Sequence, residues 1–106
     1  MAQLTINNLK EYLSLKYDRK VSSTDLFMKL VEEVGETAEV LNQLEGRKTK
    51  KNSFSLEDEL ADIIHYTIAI ASIHKIDLEE AIIRKDKVAA IKYKQTPNLA
   101  EYLKKR

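Results

Sequence analysis

Apolar residues recur at helical spacing along most of the chain. Leu4, Ile6, Leu9, Leu13 and Tyr17 mark one face of a first helix, predicted from about Thr5 to Asp18. The polar cluster Ser22-Ser23-Thr24-Asp25 offers several N-caps, with Ser22 and Asp25 at capping-box spacing. It opens a second helix from about Thr24 to Glu45, stopped by Gly46. The run RKTKKNS, residues 47–53, is polar and basic without apolar periodicity, and reads as a loop. Ser55 caps a third helix built by LEDELADIIHYTIAIASIH, and Asp77 with Glu80 opens a fourth from about Leu78 to Lys94. Thr96, ahead of Pro97, is placed to cap a short last helix reaching Lys105. The pattern predicts an all-α fold, a bundle of about four helices with a short C-terminal helix.

On a wheel of about 100° per residue, Leu26, Phe27, Leu30, Val31, Val34, Ala38, Leu41 and Leu44 of the second helix span about 140°, the predicted core arc. Glu33 falls about 20° outside that arc and Glu36 about 80° outside it. On the third helix Leu56, Leu60, Ile63, Ile64, Thr67, Ile70 and Ala71 form the core arc, with Glu59 and Asp62 beside it on a stripe shared with Tyr66 and Ile73. The short connection from Gly46 to Phe54 favours antiparallel packing of these two helices, which lets the acid pairs face one another across a groove.

Glu32, Glu33, Glu36 and Glu39 crowd one helix, and like charges at i,i+3 and i,i+4 repel. A solvated face is one explanation. The other is a site for a hard cation, since Mg²⁺ and Mn²⁺ take oxygen ligands and Mg²⁺ is held by a few carboxylates together with water and phosphate oxygens. His65 stands three residues after Asp62, but a di-iron site needs a second Glu-x-x-His, and Ala71 precedes His74. His65 is therefore expected to be a flanking surface residue. On the fourth helix Lys85 and Lys92 fall inside the apolar arc of Leu78, Ala81, Ile82, Val88, Ala89 and Tyr93. They either snorkel along their stems or are held by acids and phosphate.

Composition narrows the function. The 106 residues, 43% hydrophobic, suit a single domain over 1–106. With 18 basic and 17 acidic side chains there is no field that would recruit nucleic acid or an acidic membrane. The absence of cysteine excludes disulfides, thiolate metal sites and cysteine nucleophiles. MAQLTINNLK lacks the pattern of a signal peptide, and no window reaches the roughly 20 apolar residues of a membrane span, so a cytoplasmic location is expected.

Glu33-Val-Gly-Glu36, then Glu59-Leu-Ala-Asp62 followed by IIHYTIAIA, resembles the ExxE…ExxD signature of the MazG-like all-α nucleotide pyrophosphohydrolases. The resemblance implies Mg²⁺-dependent (or Mn²⁺-dependent) hydrolysis of a nucleoside or deoxynucleoside triphosphate to monophosphate and pyrophosphate, a house-cleaning of the nucleotide pool. It implies Glu33, Glu36, Glu59 and Asp62 as metal ligands. Glu32 completes the EExxE form of the motif and is the candidate base. Lys85 matches a nucleotide-holding lysine of similar proteins, and Lys92 and Lys29 are further candidates for substrate binding. The asparagine those proteins carry four residues after the lysine is missing, since Ala89 stands there. A homodimer or homotetramer is implied, and Ile68 and Ile73 are expected to supply apolar surface for a partner copy. The alternatives are a phosphoribosyl-ATP pyrophosphohydrolase, which ADIIHY suggests, and a non-catalytic helical interaction module.

Overall fold

Each helix begins where a short polar side chain can accept a backbone N–H that the helix leaves unpaired. In the computed structural model, which describes residues 2–17, 21–47 and 55–106, five helices follow such caps. These are α1 (Ile6–Lys16), α2 (Ser23–Leu44), α3 (Leu56–Ile73), α4 (Leu78–Lys92) and α5 (Leu99–Lys104). The side chains of Thr5, Ser22, Ser55, Asp77 and Asn98 accept from the N–H groups of Asn8, Asp25, Asp58, Glu80 and Glu101. The first turn of α3 carries Glu57, Asp58 and Glu59, which favours the positive end of the helix dipole. Gly46 stops α2 with φ 76°, while the Arg47 N–H donates back to the Asn42 carbonyl at 2.8 Å.

The described residues form the all-α fold expected, with no strand among them. Three boundaries differ. The cap of α5 is Asn98 and not Thr96, because Asn98 and Glu101 close a reciprocal capping box that a threonine two residues earlier cannot make. The α4 helix ends at Lys92, two residues early, as Lys94 turns into the left-handed region with φ 54°. For α1 the last helical residue is Lys16, and the expected end at Asp18 lies outside the described residues. No described helix is long and apolar enough to cross a membrane.

The α3 helix is the centre of the chain, packed on both α2 and α1, while α4 meets α1 and α5. Leu13, Leu26, Ile68 and Ala69 form the buried core, flanked by Ile6, Leu9, Tyr17, Val21, Tyr66, Ile70, Ile73 and Leu78. Ile68 is thus a core residue and Ile73 packs against it, so neither supplies the exposed surface expected of them. The α1–α4 contact is polar. The Asn7 N–H donates to Glu79 Oε2 at 2.9 Å, and Lys10 Nζ donates to the Ile76 carbonyl at 3.3 Å. In α4, Asp86 accepts the Leu99 N–H at 2.6 Å and ties α5 down.

The radius of gyration, 16.8 Å, exceeds the about 13 Å of a compact chain of this length. The predicted core arc of α2 is largely uncovered. Leu26 is buried, but Phe27, Val31, Val34, Ala38, Leu41 and Leu44 are exposed, as are Leu60, Ile64 and Thr67 of α3. The face of α2 that meets α3 is instead Leu26, Leu30, Glu33, Thr37 and Val40, rotated by about 70° from the centre of the apolar arc.

Leu13 has no exposed surface, so Leu13→Ala is expected to cost about 2–5 kcal/mol in urea unfolding. Leu15→Ala, on the exposed side of the same helix, should shift stability by no more than about 0.5 kcal/mol.

Candidate metal centre

Rotation of α2 places the acids inside the helix–helix contact. Leu26 meets Ile68 at one end of the pair and Glu33 meets Glu59 at the other, so α2 and α3 run antiparallel. Glu33, Glu59 and Asp62 bring one carboxylate oxygen each to within 4.8 Å of the others. Glu36, one turn after Glu33, shares hydrogen bonds with Glu59 and Glu33. The structure therefore brings three of the four acids to ligand spacing with Glu36 beside them, and it buries one of them. Glu59 keeps only 4% of its surface, Glu33 and Glu36 are half-buried, and Asp62 is exposed.

Carboxylates can touch in this way only if a proton or a cation sits between them. The hydrogen bond with Glu59 raises the pKa of Glu33 to about 8, aided by burial and by the charges of Glu36, Glu59 and Asp62. Burial raises Glu36 as well, followed by its hydrogen bond to Glu59 and that residue's charge. Glu59 Oε2 is buried with no hydrogen-bond partner. An orphaned carboxylate oxygen, facing other carboxylates at ligand spacing, is the donor set a hard divalent cation requires. The residues fit such an ion.

The remaining candidates stand outside this cluster, with Glu32 near enough for its charge to raise Glu36. Glu32 is exposed and paired with Lys29 at 3.5 Å, a contact of two well-solvated side chains that contributes little. Lys85 and Lys92 lie on α4, where with Arg84, Val88, Ala89 and Tyr93 they line a separate cavity of about 340 Å³. The basic run 48–51 lies outside the described residues.

His65 is not the surface residue expected. It is half-buried, shares a 2.7 Å hydrogen bond with the Tyr17 hydroxyl, and packs edge-on against Tyr17 and Tyr66. Burial lowers its pKa, Lys16 lowers it further, and Asp62 opposes both. The spacing from Asp62 to His65 carried the only sequence signal, because nothing in the periodicity of α1 assigns Tyr17 as its partner.

Fold and site define a class of protein: all-helical, with acidic side chains from two antiparallel helices gathered at ligand spacing. The MazG nucleotide pyrophosphohydrolase domain matches residues 21–96, which hold all four acids. The chain belongs to the MazG family of nucleotide pyrophosphohydrolases. It is similar to iMazG from Vibrio DAT 722, whose crystal structure is 27% identical, with a TM-score of 0.64 over 87% of this chain and all of that one. A comparison with curated proteins found no match.

The shared proton makes stability depend on pH. Between pH 4.5 and about 8 the folded chain holds the Glu33 proton more tightly than the unfolded chain does, so raising pH through this range removes stability. His65 acts in the other direction, contributing stability above its ordinary value of 6.5 that is lost as pH falls. Comparison with Glu33→Gln, which keeps His65, isolates the cluster. The metal-free variant should match the wild type in Tm near pH 5 and exceed it near pH 9. A Glu33 that titrates as a solvated residue would give parallel curves.

Proposed function

We propose that the chain hydrolyses a nucleoside or deoxynucleoside triphosphate between the α and β phosphates, releasing monophosphate and pyrophosphate. The single observation that carries this reading is Glu59, buried to 4% with one unpartnered oxygen inside a carboxylate cluster. Such a side chain destabilises the fold unless a bound cation repays it. Glu33, Glu36, Glu59 and Asp62 are the residues that would hold Mg²⁺ or Mn²⁺. A bound divalent ion supplies neutralisation and polarisation of phosphate oxygens and lowers the pKa of water. Glu32, exposed one position before Glu33 and only loosely tied to Lys29, is available to orient the attacking water and take its proton. A role in clearing unwanted nucleotides follows from that reaction, and phosphoribosyl-ATP remains a rival substrate.

A panel of nucleotides with Mg²⁺, phosphoribosyl-ATP among them, tests the assignment through its products. Monophosphate and pyrophosphate are expected. Diphosphate and orthophosphate would overturn the bond assignment, and no turnover of any nucleotide would favour an interaction module. Glu59→Gln should lower turnover at least about a hundredfold and remove most of the Mg²⁺-induced rise in Tm. Its metal-free form should be at least as stable as the wild type. An unchanged Mg²⁺ shift would remove Glu59 from the site.

A second copy of the chain belongs to the same reading. The uncovered face of α2 and α3 presents Phe27, Val31, Val34, Leu41, Leu60 and Ile64, an apolar layer that a second such layer would bury as a four-helix bundle. The main contacts of α4 are with α1 and α5, so Lys85 and Lys92 would reach the nucleotide from the partner copy. Val34→Glu should yield monomers in light scattering. Mixing inactive Glu36→Gln and Lys85→Gln chains should recover up to about a quarter of wild-type turnover, since half the random dimers then hold one intact site of two. No recovery would place both residues on one chain.

A further inference from the structure

Lys16 is the last residue of α1, and its ammonium lies over the Tyr17 ring, 5.6 Å from the centroid. A ring face orients an ammonium without cancelling its charge. The ring itself is fixed, because the Tyr17 hydroxyl shares its 2.7 Å hydrogen bond with His65 Nε2 and Tyr17 packs against the buried core. His65 is in turn braced edge-on by Tyr66, with ring centroids 5.0 Å apart. His65 follows Asp62 by three residues on α3, so it stands on the neighbouring turn, about 4.5 Å further along the axis. The chain Lys16, Tyr17, His65 thus ends one turn from the exposed carboxylate of the cluster.

Charge supports the same placement. Lys16 and Asp62 act on the His65 ring with opposite sign, so both lie within electrostatic reach of it. Lys29 is paired with Glu32 and Arg47 with Glu45 at 3.1 Å, whereas Lys16 makes no ion pair among the described residues. Its position at the C-terminus of α1 is favourable for a cation, and that alone would explain a solvated lysine. It does not explain why the side chain is laid on a ring that is bolted to the neighbour of the acid cluster.

We propose that Lys16 is a substrate-binding residue of the carboxylate site, presented by the Tyr17–His65 hydrogen bond so that its ammonium takes a phosphate of the nucleotide at the Asp62 end. The proposal rests on the hydrolase reading above. A triphosphate carries more negative charge than one divalent ion neutralises, and a strongly hydrated ammonium suits its outer oxygens.

The test uses the full chain, the nucleotide that gives turnover in the panel, and inorganic tripolyphosphate as a competitor without base or sugar. Lys16→Gln should raise KM about tenfold and raise the inhibition constant of tripolyphosphate by a similar factor, with kcat within about twofold of wild type. Lys16→Arg should keep most of the affinity. Tyr17→Phe, which frees the ring but leaves the lysine, should raise KM by about threefold. Thermal melts of all three variants control for folding, and Lys16→Gln should melt with the wild type. An active wild type whose KM and tripolyphosphate inhibition are unmoved by Lys16→Gln overturns this proposal and leaves the hydrolase reading standing. A fall in kcat at unchanged KM overturns it too. An inactive wild type overturns both.

Discussion

The hydrogen bond between Glu33 and Glu59 is the constraint around which the chain is arranged. It joins two acids across the contact of α2 and α3, in a place where apolar side chains would pack better, and it exists only while a proton or a cation lies between them. The rise of Glu33 to about 8 favours a shared proton at neutral pH in the metal-free chain. A divalent ion bound there would displace it, so its binding would be coupled to proton release and would tighten as pH rises. The unpartnered Glu59 oxygen marks where protein alone leaves the cluster incomplete.

Helix α3 tolerates this contact because its other end packs in ordinary core. Leu13 of α1 and Leu26 of α2 close over Ile68 and Ala69 away from the acids, so the two ends of the α2–α3 pair do different work. One end holds the helices together and the other holds charge. The rotation of α2 that brings Glu33 inward turns Phe27, Val31 and Val34 outward, so the site and the uncovered apolar face have one origin.

Much of this was legible in the sequence. The caps at Ser22, Ser55 and Asp77, the left-handed stop at Gly46 and the helical class follow from local rules that involve only neighbours a few residues apart. The four acids were also legible, since two i,i+3 pairs beside apolar arcs on consecutive helices are an unusual pattern, and the MazG match over residues 21–96 places them in a family. His65 was not, because its partner Tyr17 is 48 positions away and on another helix. Thr96 misled because a proline after a threonine resembles a cap, while the reciprocal bond of Asn98 and Glu101 settles the position.

The sequence by itself determined the helices, their starts and the angular place of each side chain on its own wheel, because those depend on backbone hydrogen bonding within a few residues. Only the tertiary structure decided which sector of α2 meets α3. An apolar arc of about 140° is wider than one neighbouring helix can cover, so periodicity leaves that choice open. The choice buried Glu59, moved Ile68 into the core and left Val34 and Ile64 uncovered. It also raised the pKa of Glu33, which no local rule contains, since that shift arises from a carboxylate 26 residues away that only folding brings within hydrogen-bond distance.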